Sequence, residues 1–351
     1  MSNPVRVLLA DDSATIRHYL KAIISDTSNM VVIGEAKDGE DAIDLVYKLK
    51  PDVVSMDINM PKVDGLEATR RIMADIPTPV VVVSGLVESD VELSMKALEA
   101  GALAVVEKPP DRNSPEFEAK RKQLVNTMRA MAGVTVVSRK STNPRRPNIQ
   151  LSQEFSPITG RLAKPEIIGL GASTGGPSAV HRVLREFPED TPVPIVVVQH
   201  MPHEFLQGMA RWLQRSTRLK IKIAESSDYL MPGWVYISPG TAHMTVRRQN
   251  EKLLVRLIKD RGNPQYQPSI NMLFNSLATT CASNGIGVIL TGMGDDGASG
   301  LLAMKQAGAK TFAQDEKSST VYGMPNAAVL CGAVDSVLPL TSLAPEILKM
   351  L

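Results

Sequence analysis

The sequence predicts an α/β protein built from two consecutive doubly wound domains joined by a polar linker. Three observations predict it. Short β-branched runs alternate with segments of helical periodicity, the alternation stops near Gly133, and it resumes at Glu166. At 351 residues the chain suits two domains better than one, and an apolar content of 43% lets both bury a core.

In chain order the first strands are VRVLLA (5–10), MVVIGEA (30–36), DVVSMDI (52–58), PVVVVS (79–84) and LAVVEK (103–108). Amphipathic stretches such as TIRHYLKAIISD and DVELSMKALEAGA lie between them, and a last helix is expected near 115–132. Apolar strands separated by helices mean a parallel sheet covered on both faces, and right-handed crossovers make it doubly wound. Residues 138–165 are polar, proline-bearing and aperiodic, and their basic patch reads as solvated linker charge. The alternation then returns with EIIGLG, VPIVVVQH, WVYISPG, GIGVILTG and AKTFAQD as the best strands. The expected division is 1–132, a linker over 133–164, and 165–351.

Bulk properties exclude several classes of function. A net charge of +2, nearly balanced in the C-terminal part as well, argues against nucleic-acid binding and against a helix-turn-helix output. No apolar run reaches the ~18–20 residues that cross a membrane. The apolar start VRVLLA is short and ends in two aspartates, unlike a signal peptide. Two cysteines, Cys281 and Cys331, without CxxC or cysteine–histidine spacing, point to a reducing compartment, hence the cytoplasm, and to no zinc.

In a parallel sheet all C-terminal strand ends share one edge. Asp11, Asp12, Asp57, Ser84 and Lys108 end four different strands and so meet at one rim, where open α/β sheets bind ligands. Three neighbouring carboxylates repel one another unless a cation intervenes, and a hard, oxygen-liganded ion such as Mg²⁺ suits them. Such a pocket, with a lysine and a hydroxyl, suits phosphoryl transfer. On these residues the first 132 positions resemble a two-component receiver domain. The resemblance implies a flavodoxin-like fold, Asp57 as phospho-acceptor, and Mg²⁺ held by Asp11, Asp12, Asp57 and the Asn59 carbonyl. It implies phosphoryl contacts from Ser84 and Lys108, an X-Pro step, often cis, at Lys108–Pro109, and a sensor histidine kinase as donor. Val105 stands where many receivers carry a rotating aromatic.

The turn GASTGGP (171–177) admits two readings. As G-x-G-x-x-x-G over 169–175 it approaches a dinucleotide fingerprint, but the next strand ends in Gln199-His200 and not in the acid that binds a ribose. As G-x-S-x-G it lifts Ser173 onto a strand-to-helix elbow with backbone N–H groups nearby. A serine needs a base, and His200 ends the following strand at the same rim. His203 reads as secondary, His181 as a partly exposed helix residue, and His243 as a residue that could line the cleft. For the carboxylate that orients the imidazole, Asp295, Asp296 and Asp315 all follow strands, and spacing leaves them open. The order Ser…His…Asp differs from that of the α/β-hydrolases.

Together GASTGGP, QHMP, LTGMGDDG and QDEKSSTVYGMP, behind a receiver, resemble the chemotaxis receptor methylesterase family over nearly the whole chain. The resemblance implies a phosphorylation-activated hydrolase of glutamate methyl esters on methyl-accepting chemotaxis receptors, also deamidating receptor glutamines. It implies Ser173 as nucleophile, His200 as base, Asp296 as orienting acid, and an oxyanion hole from the Thr174 and Met293 backbone, with no cofactor in the catalytic domain. The rival reading is a phosphorylation-controlled regulator or scaffold without catalysis. The segments 260–274 and 319–325 match further family stretches around the cleft.

Overall fold

The computed structural model describes residues 3–85, 88–134, 164–259 and 267–351. The body of the predicted linker (135–163) and the first part of the 260–274 segment lie outside the described residues.

The N-terminal unit runs β1 (Val5–Ala10), α1 (Ala14–Ser25), β2 (Met30–Ala36), α2 (Gly39–Leu49), β3 (Val53–Met56), α3 (Gly65–Asp75), β4 (Val80–Ser84), α4 (Glu88–Ala100), β5 (Ala104–Glu107) and α5 (Phe117–Ala132). Its sheet is parallel in the order β2-β1-β3-β4-β5, the flavodoxin-like arrangement. All four residues of β3 and all five of β4 are buried, as expected of strands covered on both faces. Ser13, Asp38 and Asp64 cap α1, α2 and α3 by accepting from backbone N–H groups in the first turn, so each helix starts at the sheet's ligand-binding edge.

The C-terminal unit begins β6 (Ile167–Ala172), α6 (Gly176–Leu184), β7 (Ile195–Gln199), α7 (His203–Ser216), β8 (Lys220–Ile223), β9 (Trp234–Ile237). A hairpin of β10 (His243–Gln249) and β11 (Lys252–Ile258) precedes α8 (Ile270–Cys281). The chain ends with β12 (Gly285–Ile289), α9 (Ala298–Gln306), β13 (Lys310–Gln314), α10 (Met324–Leu330), β14 (Ser336–Leu338) and α11 (Leu340–Leu348). Seven strands pair in parallel as β14-β13-β12-β6-β7-β9-β8. The chain builds outward from β6 through β7 to β8 and β9, then returns to β12 on its other side. That reversal opens a crevice over the C-terminal ends of β6, β7 and β12.

Three elements were not expected from the sequence: β8, the hairpin and β14. The hairpin turn places Asn250 and Glu251 both at positive φ, 48° and 65°, the two-residue turn whose twist matches antiparallel strands. Glutamate at the second position hides that turn from a search for Asn-Gly.

The two units touch. Helix α4 packs on α7 and α6, and Trp212 donates its indole N–H to the Glu99 carboxylate across the boundary. Trp212 also lies against the His181 ring, 4.6 Å between centroids. One apolar cluster contains Met95 and Leu98 from α4 together with Phe205, Trp212 and Leu213 from α7. Val321, in the loop before α10, packs against the N-terminal cluster that holds Phe117 and Leu124. Among the described residues no helix is long and apolar enough to cross a membrane.

Candidate active site

Parallel pairing sets the first two partners. Ala172 at the end of β6 sits opposite Gln199 at the end of β7, and the next residues along are Ser173 and His200. Adjacent strands lie ~4.8 Å apart, so the elbow serine and the imidazole leave the sheet side by side. His200 N–H donates to the Ala172 carbonyl at 3.0 Å, and Ser173 N–H to the Thr291 carbonyl, also at 3.0 Å. Ser173 is thus fastened to the loop that follows β12.

That loop supplies the carboxylate. Asp296 Oδ2 lies 2.9 Å from His200 Nε2, and Asp296 is 1% exposed. Its other contacts come from the start of α8: Ile270 N–H to Oδ2 at 2.7 Å, Asn271 N–H to Oδ1 and the Ser269 hydroxyl to Oδ1, each at 3.0 Å. A helix N-terminus has donors without helical acceptors and a positive dipole end, and both favour an anion there. Burial pushes the Asp296 carboxyl up, but the hydrogen bonds from His200, Asn271 and Ile270 outweigh it and hold the group below the usual carboxylate range. With Asp296 ionised and accepting, Nε2 is the nitrogen that carries a proton toward it.

The three carboxylates left open by spacing are now separated. Asp296 faces His200, Asp295 is exposed, and Asp315 Oδ1 accepts from the Ser318 N–H and hydroxyl in a tight turn. His203, half-buried, pairs through Nδ1 with the Pro239 carbonyl and through Nε2 with Gln207. His181 is the half-buried ring against Trp212. His243 is buried, and its Nδ1 accepts from Ser269 N–H at 3.1 Å, so it supports the turn that holds Asp296.

Sequence reasoning missed two supports. Gln199, 1% exposed, donates from Nε2 to the carbonyls of Ser173 (2.8 Å) and His200 (3.1 Å), tying the two loops together. Its only signal was a polar residue ending an apolar strand. Ser269 is the cap of α8 and simultaneously a ligand of Asp296. Its signal was a serine immediately before a helical pattern.

Close approach explains the glycines. A Cβ on Gly292 would lie 2.7 Å from Ser173 Cβ and 2.3 Å from Met324 Sδ, so only glycine lets the β12 loop reach the elbow. Gly175 has φ +75°, and a Cβ there would meet the Thr320 hydroxyl at 2.4 Å. Thr291 braces the same loop: its hydroxyl donates to the Thr174 carbonyl and accepts from Val321 N–H. Among the described residues neither Thr174 N–H nor Met293 N–H meets a protein acceptor, and both residues line the cavity beside Ser173 and His200.

The acidic rim of the N-terminal sheet forms a second pocket. Oxygen atoms of Asp11, Asp12 and Asp57 lie within 4.8 Å of one another. Lys108 Nζ contacts Asp11 at 2.8 Å and Asp57 at 2.9 Å. Burial, opposed by Lys108 and reinforced by Asp11, raises the Asp57 carboxyl above its ordinary value. The buried Ser84 hydroxyl meets no hydrogen-bond partner among the described residues. Clustered hard oxygens whose ionisation is costly fit a divalent cation, and an unpartnered hydroxyl beside them fits an added oxyanion. Asn59 is exposed at the same edge. Lys108–Pro109, where the resemblance implies an X-Pro step that is often cis, is trans, and among the described residues the cis bond is Gln267–Pro268.

Residues of α4, β5 and α5, and not the acidic rim, face the Ser173 cleft across the domain boundary. A cavity of about 510 Å³ is lined on one side by Ser173, His200 and Met293 and on the other by Val105, Lys120 and Gln123.

Fold and sites together define a two-domain α/β protein in which an acidic, phospho-acceptor-like pocket is coupled to a Ser–His–Asp cleft. Comparison with known proteins agrees. Residues 168–347 match the family described as CheB methylesterase, and residues 7–114 match the response regulator receiver domain. A Myxococcus xanthus protein named protein-glutamate methylesterase/protein-glutamine glutaminase 4 is 43% identical over 348 residues, 99% of this chain and 97% of that one. A Syntrophus aciditrophicus protein named protein-glutamate methylesterase/protein-glutamine glutaminase 1 is 38% identical, covering 99% and 98%. The crystal structure of the Thermotoga maritima CheB methylesterase catalytic domain aligns at TM-score 0.52 and 34% identity, covering 54% of this chain and 100% of that one. The chain belongs to the CheB methylesterase family, with a receiver domain at its N-terminal end.

Proposed function

We propose that this chain hydrolyses the γ-methyl esters of glutamate side chains on methyl-accepting chemotaxis receptors, and the γ-amide of receptor glutamines, under control of phosphorylation at Asp57. The observation that carries the chemistry is the 2.9 Å contact between His200 Nε2 and Asp296 Oδ2, one register step beyond the pair that sets Ser173 beside His200. His200 Nδ1 takes the proton as Ser173 Oγ attacks the ester carbonyl. Thr174 and Met293 N–H groups hold the oxyanion, and methanol leaves with the proton from Nδ1. Water then attacks the acyl-serine with His200 as base, which frees glutamate and restores Ser173.

The functional division is receiver 1–132, linker 133–164 and catalytic domain 165–351. In the receiver, Asp11, Asp12, Asp57 and the Asn59 carbonyl would hold Mg²⁺, which neutralises charge during phosphoryl transfer. Lys108 and Ser84 contact the phosphoryl group on Asp57, and a sensor histidine kinase supplies it. A cation at ten times its dissociation constant adds about 1.4 kcal/mol to a fold that binds it. Thermal melting with and without Mg²⁺ should therefore show an upward Tm shift of a few degrees, abolished in Asp12→Asn. An unchanged Tm in wild type would remove the metal site.

Control works by cover. The unphosphorylated receiver lies over the cleft through α4 on α7 and the Glu99–Trp212 bond, and phosphorylation shifts the population toward separated domains. The test of the whole reading is methanol release from methylated receptor. Release should rise tenfold or more on adding a small phosphodonor, and equally on deleting residues 1–132. No release under either condition would refute the activity, and release by the deletion protein no faster than by the resting chain would refute the cover.

A further inference from the structure

We infer that His243 is a positioning residue for the reaction: a second imidazole, behind the cleft, that fixes Ser269 and through it sets Asp296 against His200. The inference rests on the function proposed above, in which Ser173, His200 and Asp296 carry the chemistry, and adds the residue that holds the acid in place.

His243 opens β10 and is 2% exposed, the most deeply buried histidine of the chain. It does not line the cavity beside Ser173, so any action on the reaction passes through another residue. Burying a polar ring costs free energy unless it is hydrogen-bonded. Here Nδ1 accepts the Ser269 N–H at 3.1 Å. That N–H belongs to the residue that caps α8, and in a capping box it is satisfied by a Glu or Gln three positions further on. Position 272 is a methionine, which cannot reach back with a carboxylate or an amide. His243 supplies from another strand the acceptor that the helix's own sequence lacks.

Holding Ser269 holds the acid. Three of the four donors to Asp296 come from consecutive residues, the Ser269 hydroxyl and the N–H groups of Ile270 and Asn271. The Ser269 hydroxyl donates to Asp296 Oδ1 at 3.0 Å and accepts from Met272 N–H at 3.4 Å, so both neighbours fix where its proton points. Asp296 Oδ2, on the other side of the same carboxylate, meets His200 Nε2. A displaced Ser269 would let the carboxylate turn about its Cβ–Cγ bond and carry Oδ2 away from the imidazole.

The hairpin holds the rest of α8 by separate contacts. Strand β10 pairs along one edge with β11. Val246 N–H donates to the Ser276 hydroxyl at 2.9 Å, and the Thr280 hydroxyl donates to the Val246 carbonyl at 3.0 Å. Those residues lie about 10 and 16 Å down the helix from Ser269. They fasten helix to hairpin, whereas His243 fastens the end that carries Asp296.

The experiment measures kcat and KM for methanol release from methylated receptor, using the full chain with a small phosphodonor throughout, and a melting curve for each variant. His243→Phe keeps the bulk of a ring and removes the acceptor. Its kcat should fall by ~10–10²-fold, as for a misplacement approaching 1 Å, with KM changed less than about twofold. His243→Asn loses bulk but places Oδ1 where Nδ1 was, both atoms being bonded to Cγ, and should return most of the lost kcat. Ser276→Ala weakens the same clamp away from the site, so it should lower Tm and leave kcat at the wild-type value. Ser269→Ala should lose kcat too, and its loss should overlap with that of His243→Phe, the double variant falling well short of the product of the singles. Full kcat in His243→Phe overturns the inference, as does an order set by size, with Phe active and Asn not. Losses that multiply in the double variant overturn it as well. Wild-type kcat in Ser269→Ala overturns it whether or not the ring variants fold. No release by the wild-type chain, or undiminished release by Ser173→Ala, would instead refute the proposed function.

Discussion

Ser173→Ala is expected to lower methanol release from methylated receptor by at least ~10⁴-fold while leaving the melting curve of the protein unchanged. The two halves of that expectation have separate causes. In the proposed mechanism the hydroxyl forms the acyl intermediate, so its removal leaves only the proposed oxyanion donors and the binding surface to assist attack by water. It also has no structural duty, because among the described residues Ser173 Oγ makes no hydrogen bond, whereas its backbone N–H and carbonyl engage Thr291 and Gln199. Alanine keeps both backbone contacts and the elbow's shape, and a surface-like change of this kind alters stability by no more than ~0.5 kcal/mol. Mass spectrometry adds a direct readout. A serine-directed phosphonylating reagent should add once to the wild-type chain and not to Ser173→Ala. Retained turnover in the alanine variant would mean that another group attacks the ester.

The order of strands around β6 explains why so much of this site could be read from the chain. The parallel sheet carries Ser173, His200 and the β12 loop to one edge whatever the side chains are, so three glycine- or histidine-bearing loop sequences suffice to locate it. The acidic rim follows the same rule, and Asp11, Asp57, Ser84 and Lys108 meet as strand order requires. Choice among neighbouring acids was not available from spacing, because Asp295 and Asp296 differ only in which way one turn of chain points. Burial and the donors at the start of α8 decide it, and those donors belong to a segment that joins the site only through tertiary packing. Gln199 was illegible for the opposite reason. It occupies an ordinary strand-end position, and its amide matters only because two carbonyls from different loops converge on it. The missed strands fail on local signal. In β8, Lys220-Ile221-Lys222-Ile223 is four residues long, and β14 is three. The β10–β11 turn lacks the glycine that would announce it. The domain contact is the least legible feature, because neither Glu99 nor Trp212 carries a pattern that names its partner.

Asp296→Asn tests the electrostatic half of the site, and its expected effect is nearly as large as that of losing the Ser173 hydroxyl. The wild-type carboxylate accepts four hydrogen bonds and donates none. An amide has one oxygen and one NH₂, so one edge of the side chain must present hydrogens to groups that also donate. With the NH₂ toward His200 and Ile270, the imidazole must move its proton to Nδ1 to accept from the amide, and the nitrogen proposed as the base then has no lone pair. With the NH₂ toward Ser269 and Asn271, the imidazole keeps its tautomer, but Asn271 N–H loses its acceptor and the imidazolium formed during attack loses its counter-charge. Either way the proposed base is disabled or left unsupported, and kcat should fall by ~10³–10⁴-fold with little change in KM. One buried donor without a partner costs about 1–3 kcal/mol, so this variant, unlike Ser173→Ala, should also melt earlier. The stability difference should depend on pH in a definite direction. Because the Asp296 carboxyl is held below its ordinary range in the fold, its contribution is complete above the unfolded carboxyl pKa and disappears as pH falls through the folded one. The gap between wild type and Asp296→Asn should therefore be constant near neutrality and close on acidification below about pH 4. A gap that persists unchanged into strong acid would show that the lost interaction is one of shape and not of charge.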